Sequence, residues 1–129
     1  MRSCRLLVTG TLLTLALAAC GGGTTSTSPS TSAPSVGIAG GNLGMATVMI
    51  AATDQFTFDP GMQTANVGEI IQWTNTGSAL HTITFDSEPS LSDPALEPGG
   101  VWQVKFTTAG TYPYHCTVHP GMVGTIVVS

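Results

Sequence analysis

The sequence predicts an all-β domain, a β-sandwich or a small Greek-key barrel, over residues 45–129. Short segments rich in β-branched and aromatic residues recur along this part of the chain, and Gly, Pro, Asn or Asp separate them. No segment shows the 3.6-residue periodicity that an amphipathic helix requires. Regularly spaced short strands with turn residues between them are typical of sandwiches and small barrels.

The predicted strands follow one another at short intervals. Thr47–Ala52 is apolar and rich in β-branched residues, and Phe56–Phe58 alternates before the turn sequence Asp59-Pro60-Gly61. Residues 86–100 contain three prolines and two glycines, so we expect mostly loop there. The remaining predicted strands are Met62–Val67, Glu69–Asn75, His81–Phe85, Trp102–Phe106, Thr111–His115 and Gly124–Val128. The aromatic residues of these segments are expected to pack in the core.

Two segments of different composition precede this domain. Residues 1–19 combine a short basic start with an apolar stretch that is too short to span a bilayer, which needs about 20 residues. Leu17-Ala18-Ala19-Cys20 resembles a bacterial lipobox, whose cysteine is lipidated and becomes the mature N-terminus. We therefore predict a lipoprotein signal peptide over 1–19, with an ordinary signal peptide as the alternative. Residues 20–44 then form a lipidated Cys20 and a disordered Ser/Thr/Gly/Pro tether.

These segments predict where the protein resides and which partners it meets. We expect a lipid-anchored protein in the bacterial cell envelope, on the extracytoplasmic side. Beyond the predicted signal peptide, one basic residue, Lys105, stands against seven acidic ones, a net charge of −6. This charge excludes nucleic acid as a partner and favours a positively charged protein surface. The alternative is that the acidic residues serve only solubility.

The three cysteines do not predict a disulfide. Cys4 leaves with the signal peptide and Cys20 carries the lipid, so Cys116 has no thiol partner. A lone thiol in an oxidising compartment is a liability unless something occupies it. Metal binding would protect it.

A candidate metal-binding loop lies near the C-terminus. Cys116, His119 and Met122 are spaced so that one loop could bring a thiolate, an imidazole and a thioether to one soft metal ion. The third strong ligand must be His81 or His115. Neighbouring side chains on a strand point to opposite faces, so His115 and Cys116 cannot both face one metal, and His81 is the better candidate. Two His, one Cys and a weak axial Met are the ligands of blue-copper electron-transfer sites.

The segment Gly110–Met122 resembles the amicyanin-type ligand loop of the plastocyanin-like cupredoxin family. Framework segments in the same order strengthen the resemblance, which covers residues 45–129: Phe56–Pro60, Val67–Glu69, Trp73–Asn75 and His81–Ile83. It implies a cupredoxin-like Greek-key β-sandwich that binds one copper ion, Cu(I) or Cu(II), through His81, Cys116, His119 and Met122. It further implies a non-enzymatic monomer that carries single electrons between a redox donor protein and an acceptor protein.

The resemblance also implies that His119 is partly exposed in an apolar patch through which electrons leave. The corresponding residues here are Leu80, Val118, Pro120 and Gly121. The chain departs from the family at Thr82, where an Asn usually ties the two ligand segments together. Thr can hydrogen-bond but has a shorter reach, which would affect the rigidity and the potential of the site. Val118 stands where the family commonly has Pro, and Gly121 where it has a bulkier residue, so we expect a looser loop.

Other functions for the same residues are a copper store or delivery protein, a structural zinc site and a Cys–His hydrolase. A closed set of four ligands disfavours copper delivery, and zinc rarely accepts Met. Copper enzymes of this superfamily need a second, histidine-rich site, and the chain contains only three histidines.

Overall fold

The computed structural model describes residues 35–129, which form ten β-strands and one short 3₁₀ helix, Pro89–Leu91. The strands are β1 (Gly37–Gly40), β2 (Val48–Ala52), β3 (Phe58–Asp59), β4 (Met62–Ala65), β5 (Ile70–Asn75), β6 (His81–Phe85), β7 (Asp93–Leu96), β8 (Val101–Phe106), β9 (Gly110–His115) and β10 (Val123–Val128). The predicted signal peptide, the anchor Cys20 and the start of the predicted tether lie outside the described residues. Within residues 35–129, no helix has the length and apolar character needed to cross a membrane.

The strands form two five-stranded sheets that enclose one core. The first sheet has the order β1-β8-β5-β2-β3 and the second has the order β4-β10-β9-β6-β7. β2 pairs in parallel with β5, and β4 with β10, while the other pairs are antiparallel. Consecutive strands repeatedly change sheet, as from β4 to β5 and from β5 to β6. The predicted all-β sandwich is therefore confirmed.

The folded domain begins before residue 45, the predicted boundary. β1 pairs with β8 along the edge of the first sheet, and the Thr107 N–H donates to the Val36 carbonyl at 2.8 Å. A Cβ at Gly37 would lie 2.8 Å from a backbone oxygen of β8, so the close approach requires glycine. The assignment of residues 37–40 to a disordered tether is wrong. The strand is held by its pairing with β8 and by Ala39, which packs against the core, and a four-residue segment with two glycines shows no clear alternation.

Two further local predictions differ from the structure. Phe56 does not lie in a strand, and its backbone adopts a positive φ of 57°. The segment 86–100, predicted to be mostly loop, contains the 3₁₀ helix and β7. Pro94 is tolerated in β7 because this strand lies at the edge of the second sheet, where an N–H donor is not required.

The core follows the alternation of the strands. In β5, Ile71, Trp73 and Asn75 are buried, while the residues between them are partly exposed. The Trp73 and Tyr114 rings contact edge to face, with centroids 5.3 Å apart. The Tyr112 hydroxyl donates to the Thr108 carbonyl at 2.8 Å.

Candidate metal centre

The candidate ligands come from two neighbouring segments of the second sheet. His81 is the first residue of β6, and Cys116 directly follows β9. β6 and β9 are antiparallel and pair Thr84 with His115, so the start of β6 lies beside the residues that follow β9. His119 and Met122 belong to the loop between β9 and β10. His81, Cys116 and Met122 are buried, and His119 is partly exposed.

Three donor atoms converge in this site. Cys116 Sγ lies 4.0 Å from His81 Nδ1 and 3.6 Å from His119 Nδ1, and the two Nδ1 atoms are 3.2 Å apart. Metal–nitrogen and metal–sulfur bonds of about 2.0 and 2.3 Å in a trigonal arrangement would place such donors roughly 3.5–3.8 Å apart. The observed separations are close to these values, so the set fits one first-row metal ion.

The protonation state of His81 is suited to metal binding. Burial lowers the pKa of His81 below its ordinary value of 6.5, and the nearby His119 lowers it further. The imidazole is therefore neutral at neutral pH, and the neutral ring is the form that binds a metal.

The ligand loop is closed by its own backbone. The Cys116 N–H donates to the Met122 carbonyl at 2.9 Å, and the Met122 N–H donates to the His119 carbonyl at 3.2 Å. Gly121 has a φ of 87°, a conformation that other residues adopt only at a cost, so the tight turn accounts for this glycine. These bonds fix the spacing between the buried cysteine and the buried methionine.

Thr82 joins the two ligand segments. Its backbone N–H donates to Cys116 Sγ at 3.4 Å, and its side-chain oxygen accepts from the Thr117 N–H at 2.8 Å. The hydroxyl groups of Thr82 and Thr117 are 3.1 Å apart. The shorter reach of Thr therefore does not prevent this residue from tying His81's strand to the loop.

His115 points away from the convergent donors. Its Nδ1 lies 2.8 Å from a carboxylate oxygen of Asp86, and both side chains are about half exposed. Among the described residues, the cluster of possible metal ligands contains His81, Cys116 and His119 and does not include His115. The alternation of side chains along β9 accounts for this placement.

An exposed apolar surface borders His119. All four residues expected in it, Leu80, Val118, Pro120 and Gly121, are exposed. Phe56, which was expected in the core, is a further member of this surface. Phe56 is 49% exposed and its ring stacks on the His119 imidazole, with centroids 4.3 Å apart. The stacking contact of Phe56 depends on the path of the chain before β3, and no periodicity in the sequence indicates this path.

The β-sandwich and the Cys–His–His set at one end define the class of small copper-binding cupredoxins. The family model described as "Copper binding proteins, plastocyanin/azurin family" matches residues 45–129, and the chain belongs to this family. The family consists of electron-transfer blue copper proteins and binds one copper ion.

Individual relatives agree with the family match. Amicyanin-alpha of Methylorubrum extorquens is 40% identical over 65 residues, 47% of this chain and 55% of the relative's own length. Plastocyanin of Scenedesmus fuscus is 36% identical over 90 residues, 60% of this chain and 92% of the relative. The match therefore spans only about half of the amicyanin relative but nearly all of this plastocyanin.

Solved structures with the same fold include an oxidised amicyanin variant, with a TM-score of 0.62 and 25% identity over 74% of this chain and 95% of that one. A purple cupredoxin from Nitrosopumilus maritimus has a TM-score of 0.59 and 26% identity over 64% of this chain and 99% of that one.

Proposed function

We propose that the protein is a type 1 (blue) copper protein that carries single electrons, with the metal bound by His81, Cys116, His119 and Met122. The observation that carries this proposal is the convergence of one thiol and two imidazole Nδ1 atoms, with separations of 3.2, 3.6 and 4.0 Å. Bound copper supplies reversible one-electron chemistry between Cu(I) and Cu(II).

The protein's own residues make that chemistry fast by limiting rearrangement. The thiolate and thioether suit Cu(I), while the imidazoles suit both oxidation states. Neighbouring strands hold His81 and Cys116, and backbone bonds close the loop that carries His119 and Met122. Buried ligands also exclude water, so the partly exposed His119 is the route by which an electron reaches the surface.

In this proposal, electron transfer takes place at the outer face of a bacterial membrane. Cys20, at the end of a sequence that resembles a lipobox, would carry the lipid, and the domain would exchange electrons as a monomer with a donor and an acceptor protein. The acidic mature chain favours partners whose surface is positively charged. The parent should incorporate a labelled fatty acid, and replacement of Cys20 by Ser should abolish that labelling because a hydroxyl does not replace the thiol. An unlabelled parent would contradict the anchor.

The copper site is tested by visible spectroscopy. After addition of Cu(II), we expect an intense blue thiolate-to-copper band that ascorbate bleaches and reoxidation restores. Cys116→Ser should abolish the band, because a hydroxyl cannot replace the thiolate, whereas the control His115→Gln should retain it. A colourless protein that binds zinc or holds only Cu(I) would refute electron transfer and favour a structural site or copper storage.

A further inference from the structure

Phe56 occupies an unusual place beside a candidate ligand. Its ring lies almost parallel to the His119 imidazole, with an interplanar angle of 24° and centroids 4.3 Å apart. Phe58, two residues later, is buried and contacts the core ring of Tyr114 at 4.8 Å. Phe58 thus contributes to folding by burial, whereas Phe56 leaves half of its side chain in solvent.

The backbone of Phe56 is strained. A φ of 57° lies in the left-handed region, which is unfavourable for a bulky side chain and is usually occupied by Gly or Asn. The Phe56 N–H donates to the Thr53 carbonyl at 3.0 Å, and the Thr53 N–H donates to the Thr57 carbonyl at 3.1 Å. These backbone bonds do not depend on a phenyl ring. Strain of this kind at an exposed aromatic residue is typical of a functional position.

The segment that carries Phe56 is also joined to the segment before His81. Asp54 accepts hydrogen bonds from the Ser78 N–H at 2.7 Å and the Ser78 hydroxyl at 3.2 Å. The segment 53–57 is therefore linked to both candidate histidines. Asp54 binds Ser78, in the segment before His81, and Phe56 stacks on the ring of His119.

We propose that Phe56 is a positioning residue for His119. Its ring covers one face of the imidazole, restricts rotation of that imidazole away from Cys116, and keeps chelators and small anions from displacing it. The proposal rests on the proposed copper-binding function and goes further, because it assigns the retention and shielding of the exposed ligand to a residue outside the ligand set.

The test uses four variants at this position. Phe56→Gly and Phe56→Asn remove the ring and suit the left-handed backbone, so both should fold at least as well as the parent. Phe56→Leu retains apolar bulk without an aromatic face, and Phe56→Tyr retains the stacked ring. The first measurement is the rate at which the copper-loaded protein loses its colour in an excess of a strong chelator. The binding of azide is monitored separately by electron paramagnetic resonance.

We expect Phe56→Gly, Phe56→Asn and Phe56→Leu to release copper about two- to tenfold faster, the range that corresponds to the energy of one aromatic pair. Azide should bind these variants more readily, and Phe56→Tyr should behave as the parent. Equal release rates and equal azide binding in all variants would overturn the proposal. Faster release that accompanies a lower melting temperature of the metal-free protein would also overturn it, because the ring would then be a structural element.

A second measurement does not depend on copper. In the metal-free protein, the ring current of Phe56 should shift the His119 ring protons upfield in the nuclear magnetic resonance spectrum, and Phe56→Gly should remove that shift. If the parent binds no copper but the shift is present, the proposed function fails and the stacking holds. If copper binds and the shift is missing, the positioning role fails alone.

Discussion

Replacement of Thr82 by Val removes the side-chain oxygen that joins the two ligand segments while the shape of the side chain is retained. The Thr117 N–H loses its acceptor at 2.8 Å, and the contact between the two hydroxyls at 3.1 Å is lost as well. Thr82 is buried, but Thr117 is exposed, so water can partly replace the missing partner. The expected loss is about 1–2 kcal/mol of unfolding free energy for these bonds.

This loss is measured by urea and thermal denaturation of the metal-free protein. At about 4–8 °C per kcal/mol for a domain of this size, the melting temperature should fall by roughly 5–15 °C. Thr84→Val is a matched control on the same strand, since the described hydroxyl contact of Thr84 is only with Thr82, at 3.4 Å. Thr82→Ser restores a hydroxyl and should recover most of the stability.

The double variant Thr82→Val/Thr117→Val, compared with the two single variants, gives the free energy of the contact between the two hydroxyls separately from that of the other Thr82 bonds. Because the Thr82 backbone N–H still donates to Cys116 Sγ at 3.4 Å, the blue band should keep its position in every variant. A change in unfolding free energy below about 0.5 kcal/mol, the range of an ordinary surface substitution, would refute a stabilising role for the link between the segments.

Three other perturbations have defined outcomes. Gly124→Ala should destabilise the domain by about 1–3 kcal/mol in urea denaturation, because its Cβ would overlap the buried Tyr114 ring; parental stability would contradict this close packing. Gly37→Ala should weaken the pairing of β1 with β8 and increase hydrogen exchange in β8, whereas unchanged exchange would show that β1 contributes little to the stability of β8. The Ser78 backbone N–H lowers the pKa of Asp54 from its ordinary value of 3.8, so the stability that this carboxylate contributes is present above that value and is lost as the pH falls through the folded-state pKa. Asp54→Asn should therefore flatten the fall of stability with acid, and an unchanged acid profile would exclude the bond.

Local sequence patterns were sufficient to predict most strands. β6 has the predicted bounds, and β5, β8, β9 and β10 agree within one residue, because each alternates or carries β-branched residues next to a turn. β1 and β7 were not predicted. Their glycine and proline content gives no periodic pattern. β1 also takes its hydrogen bonds from β8, which is far away in the chain.

The candidate metal site was likewise predicted only in part. The spacing of Cys116, His119 and Met122 places all three in one loop, and alternation along a strand removes His115 from the set. Neither the spacing nor the alternation indicates that Thr82 reaches Thr117, because that contact depends on how the two segments lie in the folded chain. The stacking of Phe56 on His119 likewise depends on a turn with a positive φ at a residue type that seldom adopts it.

The sequence by itself determined the all-β class, the acidic surface and the chemical identity of the donor set, because these follow from residue types and short-range spacing. The tertiary structure alone decided where the domain begins, how the ligand segments are joined and which aromatic ring covers the exposed histidine. These features rest on contacts between residues that are distant in the chain, and such contacts exist only after the two sheets have packed together.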